Sequence, residues 1–136
     1  MPYLRVEVTG PIDPAVRREL LTRTAELFAE ITESPIERIR TEVLELSHDA
    51  FAVGGIPIAD SGELAPFIAV EVLAGRPLAQ HTALIERVSP LVADILDARL
   101  ERTRLRITEI QPEDWGIAGV PAAAARRDEI EARAGG

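Results

Sequence analysis

The chain repeats itself. Pro2-Tyr3-Leu4-Arg5-Val6-Glu7-Val8 returns as Pro66-Phe67-Ile68-Ala69-Val70-Glu71-Val72, at an offset of 64 residues (66 minus 2). Pro, Val, Glu and Val are kept, and Tyr/Phe and Leu/Ile are conservatively exchanged. The offset holds without a gap. Leu20-Leu21 meets Leu84-Ile85, Leu27 meets Leu91, and Ile31 meets Ile95. Glu37-Arg38-Ile39-Arg40 meets Glu101-Arg102-Thr103-Arg104, Glu45-Leu46 meets Glu109-Ile110, and Phe51 meets Trp115. Gly54-Gly55-Ile56-Pro57 meets Ala118-Gly119-Val120-Pro121. So many ordered matches in one register mark a duplicated unit, so whatever one copy folds into must be built twice.

Each copy reads as strand, helix, strand. In the first, Leu4, Val6 and Val8 alternate along a strand that ends at Gly10-Pro11. Asp13 is placed to cap a helix with Pro14 at its first position. Val16, Leu20, Leu27 and Ile31 carry that helix to about Thr32, where Ser34-Pro35 stops it. A second alternating strand spans residues 39–46, followed by a turn at 47–50 and a short extended piece ending in Gly54-Gly55. The second copy gives a strand at 66–73, a helix from about Pro77 to Leu96 with Pro90 expected to kink it, and a strand near 103–110. The fold class is α+β: tandem β-α-β units forming a four-stranded sheet with two helices on one face. The repeats are 2–57 and 66–121, with a linker at 58–65 and a helical tail at 122–136. Strands joined through a helix lie parallel. The uncovered face, with strands apolar on both sides in places, favours a symmetric oligomer.

Bulk properties narrow the function. At 136 residues with a net charge of −8, the chain is one compact domain with no nucleic acid as a general partner. It has no cysteine, which removes disulfides and thiolate metal sites. Its two histidines, His48 and His81, fall on unrelated elements, so no metal site is expected. No run is apolar enough to span a membrane, and no secretory signal opens the chain; the expected setting is cytoplasmic. His48 beside Asp49 reads as solvated, and Arg126-Arg127 followed by acids reads as a salt-laced helix face.

Pro2 is the candidate for chemistry. If Met1 is removed, it becomes a secondary amine at the end of a rigid strand, whereas a proline within a chain is an amide with no basic lone pair. An α-amino group titrates near about 8, and burial or a nearby cation lowers that value. Such a nitrogen can act as a base or nucleophile near neutrality.

With these features together, the chain resembles the tautomerase superfamily, and its second unit resembles 4-oxalocrotonate tautomerase. Leu73-Ala74-Gly75-Arg76, Leu96-Asp97-Ala98, Arg104, Ile107-Thr108-Glu109-Ile110 and Trp115-Gly116-Ile117-Ala118-Gly119 carry the likeness. The resemblance implies that the amino-terminal Pro2 is catalytic and that Arg76 binds substrate. It also implies a second arginine, which maps equally onto Arg104 and Arg40, and a pocket aromatic, which maps onto Trp115 and Phe51. The unit-one counterpart of Arg76 is Ile12, while Pro66 is locked behind Ala65. One competent site per chain is expected, with Pro2 from one half and Arg76 from the other. The resemblance further implies a homotrimer, no cofactor, and a small anionic unsaturated 2-oxo acid as substrate. Fused relatives also include a cis-3-chloroacrylate dehalogenase and a malonate semialdehyde decarboxylase. Helix one has no histidine, the only tyrosine is Tyr3, and Ile36-Glu37-Arg38 stands where the decarboxylase has its aspartate, so these readings are weaker. A non-catalytic scaffold is the third alternative.

Overall fold

A computed structural model describes residues 2–135; Met1 and Gly136 lie outside the described residues. Strand β1 (Tyr3–Gly10) leads into helix α1 (Pro14–Thr32), and β2 (Arg40–Ser47) follows a 3-10 turn at Ile36–Arg38. Asp13 caps α1, its carboxylate accepting from the Ala15 N–H at 2.8 Å. A 3-10 turn at His48–Ala50 precedes the hairpin of β3 (Ala52–Val53) and β4 (Ile56–Pro57). Gly54 and Gly55 turn it at φ of 61° and 78°, a left-handed conformation that side chains resist. A short helix α2 (Ile58–Ser61) follows.

The second copy has the same parts. They are β5 (Phe67–Leu73), α3 (Leu78–Leu96), β6 (Arg104–Ile110), the hairpin β7 (Gly116–Ile117) and β8 (Val120–Pro121), and α4 (Ala122–Ala125). A last helix, α5 (Arg127–Ala134), has no counterpart in the first copy. Pro90 lies inside α3, which is one element from end to end.

The main sheet has the order β2-β1-β5-β6. β1 pairs parallel with β2, and β5 with β6, while the two copies meet through antiparallel β1 and β5. The register sets Arg5 opposite Ala69, its own repeat partner, so a pseudo-twofold axis passes between them. One face of the sheet supplies Leu4, Val6, Val8, Ile68, Val70 and Val72 to a core closed by Leu20 and Phe28 of α1 and Leu84, Val88, Val92 and Leu96 of α3. Burying this apolar area is what holds both helices to one face.

The opposite face is mixed rather than apolar. It carries an Arg5–Glu7 ion pair at 3.0 Å, the Tyr3 hydroxyl donating to Glu42, and the Arg106 guanidinium 5.2 Å from the centre of the Phe67 ring. His48 is not merely solvated; its Nδ1 lies 2.9 Å from the hydroxyl of buried Thr9. Among the described residues no helix is long and apolar enough to cross a membrane.

Candidate active site

The antiparallel junction decides which residues meet. It sets the start of β1 beside the end of β5, so Pro2 and the turn Ala74-Gly75-Arg76 share one pole of the sheet. Gly75 turns there at φ 103°, which a side chain would strain. The end of β6 pairs with Leu73 and delivers the β7–β8 hairpin of the second copy to the same pole. The start of β2 brings Arg40 opposite Tyr3.

A cleft of about 470 Å³ results, lined by Tyr3, Glu37, Arg38, Arg40, Trp115 and Arg126, with residues 116–118. Pro2 adjoins it: the residue is buried, and its carbonyl accepts the Arg40 N–H at 3.0 Å. The pseudo-twofold builds the reciprocal cleft, about 300 Å³, from Phe51, Pro66, Phe67, Glu101, Arg102 and Arg104. Of the duplicated candidates, Arg40 and Trp115 therefore gather at Pro2 within one chain, whereas Arg104 and Phe51 gather at Pro66.

Arg76 lines a third cleft, about 410 Å³, with Thr32, Ser34, Gln80, Glu129 and Arg133; Arg38 lines both this cleft and the one at Pro2. The Arg76 guanidinium donates to the Thr32 carbonyl, the Gln80 side-chain oxygen and the Ser34 hydroxyl, each at 3.2 Å. It so satisfies a carbonyl that the end of α1 leaves open. Its Nε is buried with no hydrogen-bond partner among the described residues. Burial, first, and the Arg133 charge, second, lower its pKa to about 10, against the opposing pull of Glu129. That value leaves Arg76 cationic at neutral pH. Within the chain, then, Arg76 and Pro2 share a pole, but Arg76 lines the cleft adjoining the one beside Pro2.

Two contributors were not singled out by the sequence. Arg38, in the cleft wall, is held by two bonds to the Glu129 carboxylate of α5, both at 3.0 Å. The sequence pattern puts Arg126 on a salt-laced helix face; instead it stands between α4 and α5, lines the Pro2 cleft and makes no ion pair among the described residues. Extending the repeat five residues past Pro121 would have flagged it, because its partner at the same offset is Gly62.

A duplicated β-α-β sheet with a cationic, aromatic-walled cleft beside Pro2 defines a class, and comparison with known proteins agrees. Residues 66–125 match the family described as tautomerase enzyme. The 2-hydroxymuconate tautomerase of Pseudomonas sp. (strain CF600) is 42% identical over 62 residues, 46% of this chain and 98% of that protein. That of Pseudomonas putida is 40% identical over 57 residues, 42% of this chain and 90% of that protein. The chain belongs to the tautomerase family.

The double-length architecture is that of the fused 4-OT proteins. A crystal structure of native fused 4-OT superposes with a TM-score of 0.86 at 34% identity, covering 92% of this chain and 99% of the other. A fused 4-OT described as an asymmetric trimer gives 0.82 at 30% identity, covering 90% and 98%.

Proposed function

We propose that the protein is a cofactor-independent tautomerase acting on a small unsaturated 2-oxo acid, with Pro2 as its base once Met1 is removed. The observation that carries the reading is the cleft beside Pro2, where Arg40 and Trp115 converge in a chain of this family. The Pro2 nitrogen takes the proton from the hydroxyl of a dienol. Charge spreads into the dienolate, and the same nitrogen returns the proton to a carbon of the chain. No atom is gained or lost. Arg40 draws negative charge toward the carbonyl oxygen as it develops. Trp115 excludes water, which keeps the imino nitrogen neutral. Arg76, cationic and lining the adjoining cleft, engages the substrate carboxylate from there.

A homotrimer is part of this proposal. Strands β2 and β6 leave both edges of the sheet unpaired among the described residues, and part of the charge on the open face, Arg5 with Glu7, is paired within the chain.

The test is enol–keto exchange of 2-hydroxymuconate or phenylenolpyruvate by protein whose intact mass shows Met1 removed. Pro2→Ala should lower kcat by about 100-fold or more, the usual weight of a positioned acid–base group. Equal rates for the two forms would overturn the assignment of the base.

A further inference from the structure

We infer that Arg126, carried by the C-terminal segment, is a specificity-determining residue of the Pro2 cleft that binds a second, distal carboxylate. This rests on the tautomerase reading of that cleft, though its test does not need turnover.

Three guanidinium groups line the cleft, but they are not equivalent. Arg38 is committed to Glu129 by two bonds at 3.0 Å. Neither Arg40 nor Arg126 has a carboxylate partner among the described residues, and the Arg126 side chain makes only one hydrogen bond there, from Nη1 to the neighbouring Ala125 carbonyl at 3.2 Å. Its Nε is buried with no hydrogen-bond partner among the described residues. A buried N–H left unsatisfied is unfavourable by the desolvation of the group, and no carboxylate among the described residues holds this cleft-lining guanidinium.

The duplication shows that this arginine is an addition rather than a by-product of the fold. Gly62 and Arg126 hold the same place in the two copies, each ending a four-residue helix, with the N–H donating at 2.8 Å to the carbonyl of Ile58 and Ala122 respectively. Glycine brings no side chain to the Pro66 cleft, while arginine brings a cation to the Pro2 cleft. Ile12 and Arg76 differ in the same sense. Both departures from the repeat place positive charge at the pole that has the amino-terminal proline. The stretch matching the family ends at residue 125, so Arg126 lies one residue beyond it. In a chain of net charge −8, such local cations decide whether an anion can approach.

With one carboxylate and the reacting carbonyl held by Arg40 and Arg76, Arg126 takes the carboxylate at the far end. trans,trans-Muconate and sorbate test this, because these trans,trans six-carbon dienoic acids differ by one terminal carboxylate and neither carries an enol. Isothermal titration of the processed chain should show tighter binding of muconate. Arg126→Gln should weaken muconate about tenfold or more and change sorbate by less than about twofold, the fold-change expected from one charge-assisted bond. Arg126→Lys, which keeps the charge without the fork, should recover part of the loss. The inference is overturned if muconate binds Arg126→Gln as it binds the parent. It is equally overturned if both acids weaken alike, or if the parent binds neither. Absence of tautomerase turnover alongside an intact muconate preference would overturn the catalytic reading and leave this one standing.

Discussion

The backbone N–H of Arg40 donates to the Pro2 carbonyl at 3.0 Å, and Arg104 donates to the Pro66 carbonyl at 3.0 Å. Each proline is thus locked to the second strand of its own copy, so both sites inherit the same backbone frame. They differ in what their nitrogens are bonded to. Pro66 follows Ala65 through an amide, whereas Pro2 follows Met1, whose removal is the premise of the proposed base. The aromatic wall at each site comes from the other copy: Trp115 reaches the Pro2 cleft and Phe51 the Pro66 cleft. Because the axis exchanges hairpins in this way, neither copy alone can make a complete cleft.

That exchange separates paired candidates by experiment. Trp115→Ala and Arg40→Ala should each lower kcat/KM by about tenfold to 100-fold, as expected when a group stabilising transition-state charge or excluding water is lost. Phe51→Ala and Arg104→Ala should fall by less than about threefold on the same scale. Trp115 is the sole tryptophan, so its emission reports the cleft directly. Titration with muconate should shift that emission in the parent and in Phe51→Ala alike.

Arg76 has a structural task besides the role toward substrate proposed for it. Its bonds to the Thr32 carbonyl and Ser34 hydroxyl tie the end of α1 to the turn after β5. Arg76→Ala should therefore lower unfolding free energy by about 1–3 kcal/mol in urea titrations, the usual range when a partly buried hydrogen-bond donor is removed. The same variant should raise KM more than it lowers kcat. Arg76→Lys should restore some stability, because it keeps a donor, but little of the KM, because it loses the fork.

Much of the architecture was legible because it is local. The Asp13 cap, the alternation of β1 and the glycine turn at residues 54–55 are set by near neighbours, and the repeat doubled each signal. The antiparallel meeting of β1 and β5 was not legible. It is a relation between copies, and neither copy's pattern of apolar residues encodes it. Without it Arg40 could not be told from Arg104, nor Trp115 from Phe51. Arg126 was missed for another reason: an Arg-Arg pair between alanines and acids has the composition of a solvated helix, and only the break between α4 and α5 turns one of the two into the cleft.

The opposite pole offers a test of charge without catalysis. Where the second copy has Arg76, the first has Ile12, whose N–H donates to the Glu45 carboxylate at 3.1 Å. Arg17 donates to both oxygens of that carboxylate, at 2.9 and 3.0 Å. The Arg17 hydrogen bond is the main cause that lowers the Glu45 pKa, with the Ile12 N–H and the Arg17 charge adding to it and desolvation opposing. A carboxyl lowered in the folded state stabilises the fold above its unfolded value, about 4.3, and loses that contribution as pH falls through the lower folded value. Melting curves of Glu45→Gln should lie below the parent at neutral pH and converge with it in acid. A gap that stays constant down to about pH 2 would show that shape, not charge, sets the contribution.

The assembly gives the last prediction. β2 is an edge strand, and on its open-face side Leu44 is 38% exposed between Glu42 and Leu46. An exposed leucine beside an unpaired strand edge is a liability for a monomer and an anchor for a partner. Light scattering behind gel filtration should give about 44 kDa, three times the chain mass of 14.8 kDa. Leu44→Glu places a carboxylate against Glu42 at that edge and should shift the mass to 14.8 kDa while leaving the far-UV circular dichroism unchanged. Arg40 stands on the same strand, so loss of the neighbour also opens the Pro2 cleft to water, and kcat/KM should fall with dissociation. A parent that runs as a monomer with full activity would mean that one chain completes the site and that the open face needs no partner.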